Sequence, residues 1–349
     1  MSDLFTATTA AQVERALARG DNIEKEEGGW PDTKTPLISA CKRGELEVVD
    51  CLLNHGANPN HRSPGLYSGP IQIAAQEGHA AIVERLIRAG VDINDNQEGW
   101  ASTALILASE QGHVDVVDCL LSLGADTEKK DESRMTALMV ACQFERIDVV
   151  DRLLAAGCDV NAQSRSGATA LMWTASRGHV PIIDRLVVHG ADFNHQNKDG
   201  HAALFMASSR SHIEAVDRLL SLGCDVNAQT QGGWTALMTA CDHGSIDIVR
   251  LLLDHGADPL ICSKYGRRAV DLAARWPEIQ TLLNGLILLS FRHLIIMSPR
   301  DLRIDPKPQT DEREMITITI TTIEKNTSPR RNERPSPAPP SDLNPSSFL

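Results

Sequence analysis

Eight cysteines and twelve histidines are the side chains of this 349-residue chain that could bind a metal or act as a nucleophile and its base. A cysteine-based zinc site usually contains two cysteines separated by two residues, and the sequence has no Cys-x-x-Cys pair. Many of these residues instead recur at equivalent positions of a longer pattern: Cys41, Cys142 and Cys241; Cys158 and Cys224; His79, His113 and His179; His55, His189 and His255. We therefore expect buried, reduced thiols, histidines that hydrogen-bond turns, and no metal or cofactor.

Motifs for catalysis are missing as well. The sequence contains no Gly-x-x-x-x-Gly-Lys-Ser/Thr phosphate loop, no His-Glu-x-x-His and no Gly-x-Ser-x-Gly. We expect a chain that is not an enzyme, although a regulatory fragment of a larger enzyme assembly remains an alternative.

The charge of the chain bears on its partners. The chain has 34 basic and 46 acidic residues, a net charge of −12. Residues 286–349 hold nine basic and eight acidic residues, so the remainder carries −13. Nucleic-acid binding depends on clustered lysine and arginine, and an acidic chain repels phosphates. We therefore expect a protein partner and no nucleic acid.

A unit of 33 or 34 residues recurs along the chain. One apolar position recurs along the chain at successive intervals of 34, 34, 33, 33, 33 and 33 residues. That position holds Leu37, Ile71, Leu105, Leu138, Leu171, Leu204 and Leu237. A glycine keeps the same steps at Gly56, Gly90, Gly124, Gly157, Gly190, Gly223 and Gly256.

This period, together with the start Thr35-Pro36-Leu37, resembles the ankyrin repeat. The resemblance covers residues 32–284 and implies an all-α solenoid of helix-turn-helix units, with about seven full repeats between atypical capping repeats. We expect capping helices over 1–31, repeats over 32–263, a C-terminal capping repeat over 264–285 and a non-repeat, largely disordered tail over 286–349. Because a solenoid grows by adding units, this length does not require several globular domains.

The tail begins with an apolar stretch after Gly285. It is broken by Arg292 and His293 and is shorter than the roughly 20 residues that a bilayer requires. We expect an extension of the cap helix rather than a membrane span. The residues after Met1 do not form a secretory signal, and we expect a cytoplasmic protein, with the nucleus as the other location.

A glycine ends the first helix in five of the copies, at Gly44, Gly78, Gly112, Gly178 and Gly244. Glu145 and Ser211 replace it in two others, so we expect strain or side-chain hydrogen bonds in those turns. One position of the second helix is acidic in six copies and lies beside recurring arginines. We interpret these acids as partners in weak ion pairs between repeats rather than as an electrostatic docking surface. They are Asp50, Glu84, Asp118, Asp151, Asp184 and Asp217.

The resemblance also implies a partner-binding concave face, located at the two positions before each helix-ending glycine. Residues vary there although the framework does not. They include Lys42, Arg43, Gln76, Glu77, Glu110, Gln111, Gln143, Phe144, Arg177, Arg210, Asp242 and His243.

Five residues suggest an apolar and basic anchor on this face. Phe144 is aromatic where the other copies are polar, Trp100 and Trp234 lie near hairpin tips, and Arg177 and Arg210 are adjacent basic steps. An equally weighted interpretation is that Phe144 covers the turn at Glu145. We assign Trp173 to the core.

Asn161 and Asn227 are each preceded by Asp-Val and followed by Ala, with a leucine eight residues upstream. They resemble the ankyrin hairpin asparagine that oxygen-dependent asparaginyl hydroxylases modify, and the pattern also predicts side chains that bridge hairpins. We interpret the chain as a monomeric interaction scaffold or adaptor. A local similarity of residues 65–87 to the ankyrin region of the kinase D-interacting membrane-spanning substrate leaves a membrane-recruited signalling adaptor as the alternative.

Overall fold

A computed structural model gives the fold and describes residues 3–28, 34–62, 68–96 and 102–296. The contacts divide the chain into two units, residues 1–288 and 289–349. In the second unit the description covers only the helical backbone of residues 289–296. Most of the predicted tail, residues 297–349, lies outside the described residues. No helix in the described ranges is both long enough and apolar enough to cross a membrane.

Paired helices follow two short N-terminal ones, α1 (Asp3–Thr6) and α2 (Ala10–Ala18). The first helices of the pairs are α3 (Pro36–Arg43), α5 (Pro70–Gln76), α7 (Ala104–Gln111), α9 (Ala137–Gln143), α11 (Ala170–Arg177), α13 (Ala203–Ser209), α15 (Ala236–His243) and α17 (Ala269–Leu272). The second helices are α4 (Leu46–Asn54), α6 (Ala80–Arg88), α8 (Val114–Ser122), α10 (Ile147–Ala155), α12 (Val180–Val188), α14 (Ile213–Ser221), α16 (Ile246–Asp254) and α18 (Pro277–Ile296).

Threonine caps start several of the first helices. The Thr35 hydroxyl accepts a hydrogen bond from the Ile38 amide at 3.3 Å, and proline follows in the first turn, where its missing N–H costs nothing. Thr103, Thr136 and Thr235 make the same cap. Gly44 ends α3 in the left-handed conformation, with φ of 75°. The start and the end of the unit are therefore encoded locally.

The core lies between the two rows of helices. Each first helix packs on the next first helix, and the second helices from α4 to α16 pack on one another in the same way. Leu37 and Leu171 are 1% exposed, and Val48, Val49 and Leu52 are fully buried. Each unit therefore buries its apolar faces against its neighbours, as in other repeat arrays.

The N-terminal helices cover the first helix pair, because α1 packs on α3 and α2 packs on α4. Leu4 and Val13 are fully buried there. At the other end α17 is only one turn long and is followed by a 3-10 turn, Ala273–Arg275, before Pro277 starts α18. α18 continues past residue 285, through the predicted boundary of the capping repeat, which fits the expected extension of the cap helix.

Hairpin tips join successive pairs. The amide of one tip donates to a carbonyl of the preceding tip, from Arg165 to Ser133 at 2.8 Å and from Lys198 to Ser166 at 3.0 Å. Glycine takes a positive φ in most tips, whereas Arg134 takes it at 60°. The tips therefore run as a hydrogen-bonded row beside the first helices.

Candidate functional site

Three of the predicted anchor residues lie where three successive first helices end. Phe144 follows the last residue of α9, Arg177 is the last residue of α11, and Arg210 follows the last residue of α13. Because α11 packs against both α9 and α13, these ends are neighbours. All three side chains are exposed, and Phe144 is 42% exposed.

A depression of about 530 Å³ lies at these helix ends, and we call it the Phe144 depression. Its lining residues are Gln143, Phe144, Glu145, Ser176, Arg177, His179, Arg210 and His212. Four of these, Gln143, Phe144, Arg177 and Arg210, belong to the face predicted from the sequence.

The turns at Glu145 and Ser211 keep the backbone conformation of the glycines that they replace, with φ of 56° and 58°. This conformation is strained for residues with a side chain. Each residue is held by the next unit: Glu145 Oε1 lies 3.3 Å from His179 Nδ1, and Ser211 Oγ lies 2.6 Å from Ser245 Oγ. Both turns therefore combine a strained backbone with a side-chain contact, as we predicted from the replacement of glycine by Glu145 and Ser211.

Where glycine is kept, a side chain of the next unit lies over it and donates to a carbonyl at the helix end. In the depression His212 Nε2 donates to the Ser176 carbonyl at 3.0 Å. The corresponding donors are His79 to Lys42 at 3.4 Å, His113 to Gln76 at 2.9 Å, Arg146 to Glu110 at 2.8 Å and Trp276 to Asp242 at 3.3 Å. These contacts match the prediction that His79 and His113 bond turns.

Electrostatics in the depression are dominated by the two arginines. Among the described residues no carboxylate pairs with Arg177 or Arg210, and Glu145 is the single acid in the lining. Burial lowers the pKa of His179; Glu145 opposes this, while Arg177 and His212 lower the pKa further. These effects favour the neutral form of His179, and two arginines against one glutamate give the lining a net positive charge.

Arginines on the second helices behave differently. The pairs are Arg85 with Asp50 at 2.5 Å, Arg152 with Asp118 at 3.1 Å, Arg185 with Asp151 at 2.6 Å and Arg218 with Asp184 at 2.6 Å. Each pair joins one unit to the next. This supports the interpretation of these acids as partners in ion pairs between repeats, each pair contributing about 0–1 kcal/mol.

Other predicted face residues lie elsewhere. Arg43 donates to the carbonyls of Phe5 and Ala7 at 2.6 and 2.9 Å, so it fastens the N-terminal cap. Trp234 is half-buried, and Trp100 lies outside the described residues. The remaining positions are at the ends of α3, α5, α7 and α15, outside the lining of the depression: Lys42, Gln76, Glu77, Glu110, Gln111, Asp242 and His243.

Two details differ from the sequence-based assignments. Trp173, assigned to the core, is only half-buried, and its buried indole N–H has no hydrogen-bond partner. His212 lines the depression but was not among the predicted face residues, although it lies one period of 33 residues after His179. That spacing was the signal that could have found it.

Asn161 bridges two hairpins. Its side-chain N–H donates to the Gly190 carbonyl at 3.0 Å, and its oxygen accepts from the Asp192 amide at 2.8 Å. Asn227, two repeats later, makes the same bridge to the Gly256 carbonyl and the Asp258 amide, at 3.3 and 2.8 Å. The bridging predicted for these asparagines is therefore present, and their hydroxylation stays a prediction.

The buried thiols of the first helices are poorly suited to nucleophilic chemistry. Burial raises the pKa of Cys41 far above its ordinary value and raises the pKa of Cys142 and Cys241 to about 12. Such thiols stay protonated and unreactive. In the described parts of the chain no three His, Cys, Asp or Glu side chains lie together so as to hold a metal ion.

Family models match most of the chain. A model of ankyrin repeats in three copies matches residues 71–164, 148–230 and 216–288, and a single ankyrin-repeat model matches residues 32–64. A comparison with curated proteins gives no match.

Solved structures that resemble the chain include the human ASB11 ankyrin repeat domain, with 26% identity, 62% of this chain and 96% of that chain covered, and a TM-score of 0.56. Another is the ankyrin repeat domain of Bcl-3, described as a unique member of the IkappaB protein family. Its identity is 27%, the coverage is 62% of this chain and 99% of that chain, and the TM-score is 0.56.

Proposed function

Because the chain belongs to the ankyrin-repeat family, whose domains are generally protein–protein interaction modules, we propose that it is a scaffold or adaptor that binds a protein partner at the Phe144 depression. The proposal places the interface at the ends of α9, α11 and α13. The chain then acts by binding and positioning, without a reaction of its own.

One observation carries the proposal: an exposed phenylalanine and two arginines without carboxylate partners among the described residues surround a single depression. Aromatic residues and arginine dominate the binding energy of protein interfaces. Other side chains make the contacts that join the units here: Glu145 contacts His179 at the turn, and Arg185 on a second helix pairs with Asp151.

The cysteines and the net charge bear on the location of the chain and on the class of its partner. Free, mostly buried cysteines favour a reducing compartment, and we propose the cytoplasm or the nucleus. The net charge of −12 argues against a nucleic-acid partner. We propose that the chain is a monomer before it binds.

The test is affinity capture from cell extract with the immobilised full chain and with the triple variant Phe144→Ala, Arg177→Ala, Arg210→Ala. We expect the variant to keep the helical content of the wild type and to bind the captured partner at least tenfold more weakly, which is about 1.4 kcal/mol. A matched control, Tyr265→Ala, Lys264→Ala, Arg275→Ala, removes one exposed aromatic and two exposed cations away from the depression. It should bind like the wild type.

Capture by the folded triple variant at the wild-type level would contradict the proposed site. Equal loss in the control variant would contradict it as well, because the effect would then follow from net charge rather than from this surface.

A further inference from the structure

We propose that the Phe144 depression binds an acidic peptide segment of the partner, with a carboxylate side chain held by Arg177 and Arg210 and a neighbouring apolar side chain packed on Phe144. The inference rests on the proposed function and adds the chemistry of the partner.

The two guanidinium groups are available. Arg43, Arg85, Arg152, Arg185 and Arg218 each have a carboxylate within reach. In contrast, Arg177 and Arg210 form no ion pair among the described residues, although both line the same depression. A guanidinium group binds a carboxylate through two parallel hydrogen bonds. The pair is therefore suited to an acidic side chain brought by a partner.

The surroundings restrict where such a peptide can bind. Residues 1–285 carry a net charge of −13, which repels an acidic peptide. Within the lining, two arginines outweigh one glutamate, and Glu145 is already engaged by His179. The neighbouring helix ends carry Glu110 on one side and Asp242 on the other. The depression is thus a positively charged surface between two acidic helix ends, which favours docking of an acidic segment there.

Helix ends usually repel anions, because their free carbonyls carry partial negative charge. Here the Ser176 carbonyl, at the end of α11, already accepts the hydrogen bond from His212. A volume of about 530 Å³ holds several side chains. The exposed ring of Phe144 supplies the apolar wall that an all-charged site would lack.

The simpler alternative is that the arginines only stabilise the C-terminal ends of their helices. It predicts effects on stability but no selectivity for acidic peptides, so the experiment measures both.

The probe is a phage-displayed library of random dodecapeptides selected on the full chain. The strongest selected peptide is then synthesised with a fluorescein label, beside an analogue in which every Asp and Glu becomes Asn and Gln. Fluorescence anisotropy compares both peptides on the wild type, on Arg177→Gln with Arg210→Gln, and on the charge-matched control Lys264→Gln with Arg275→Gln. Thermal unfolding of each variant reports its stability.

We expect selected peptides with net negative charge and an aromatic or leucine residue. The amide analogue should bind at least tenfold more weakly, as should the Arg177/Arg210 variant, and the control should stay within twofold. Neutral or basic selected peptides, no selection at all, or equal binding of the amide analogue to the wild type would overturn the inference. If neutral peptides bind and Phe144→Ala abolishes their binding, the proposed function stands while this inference fails.

Discussion

A buried hydroxyl without a partner distinguishes two first helices at the residue scale. Ser208 Oγ and Ser109 Oγ are fully buried and have no hydrogen-bond partner, whereas the equivalent position in the other copies holds alanine or cysteine: Cys41, Ala75, Cys142, Ala175 and Cys241. Leaving a buried polar group unpaired costs about 1–3 kcal/mol. Ser208→Ala should therefore raise the free energy of unfolding by about 1 kcal/mol in urea denaturation.

Ser164 provides the control for this prediction. Its buried hydroxyl accepts the Ala168 amide at 3.2 Å, so Ser164→Ala should destabilise the chain. Stabilisation by both substitutions, or by neither, would show that hydrogen bonding does not decide the effect.

Hydroxylation of Asn161 and Asn227 is a second residue-scale prediction. Both side chains bridge hairpins and both lie in the Asp-Val-Asn-Ala context. In protein from cells that contain an asparaginyl hydroxylase, mass spectrometry should detect peptides carrying one added oxygen. Observation of both peptides without the added oxygen would count against the prediction.

Single residues were predictable where they break the repeat. Phe144 and Glu145 stand out because the other copies hold polar residues and glycine, and the structure places both in the depression. Arg43 was not predictable, since its partners are backbone carbonyls of the cap, which lies outside the period. Trp173 was assigned from the apolar residues that fill its position in other copies, Ile73, Leu107 and Val140, and these do not report the exposure of a larger ring.

At the scale of the elements, the glycine that ends a first helix has two roles. Gly178 has φ of 78°, and a Cβ built on it would lie 2.7 Å from His212 Nδ1. Gly190, which follows α12, has φ of 87° and no atom within 4 Å of its Cβ position. The two glycines share the left-handed backbone conformation, which strains any residue with a Cβ, but they differ in packing.

Gly190→Ala should therefore cost about 1–2 kcal/mol from backbone strain alone. Gly178→Ala should cost more, because the methyl group also displaces the imidazole that bonds the end of α11. Urea denaturation of both variants measures the difference. Equal costs would show that the histidine does not pack on the glycine as described.

The elements themselves were largely predictable. Apolar spacing, threonine caps and terminal glycines fix each helix locally, and the predicted all-α repeat fold is confirmed. The row of side chains over the glycines was not predictable from one repeat, because each contact joins residues 34 to 37 positions apart, such as His113 and Gln76.

At the scale of the whole molecule, stability should be shared among neighbouring units. Leu171 is 1% exposed in the centre of the array, and Leu171→Ala should cost about 2–5 kcal/mol. Because each unit buries its faces against the next, hydrogen exchange should accelerate in the adjacent repeats as well. Acceleration confined to residues 164–196 would contradict this coupling.

The central claim is that a partner covers the Phe144 depression, and hydroxyl-radical footprinting of the complex tests it most directly. Phe144 is 42% exposed in the free chain, whereas Val188 and Tyr265, at 82% and 74%, lie elsewhere. Binding of the captured partner should suppress oxidation of Phe144 at least fivefold and leave Val188 and Tyr265 unchanged. Unchanged oxidation of Phe144, with protection of Val188 or Tyr265, would contradict the account.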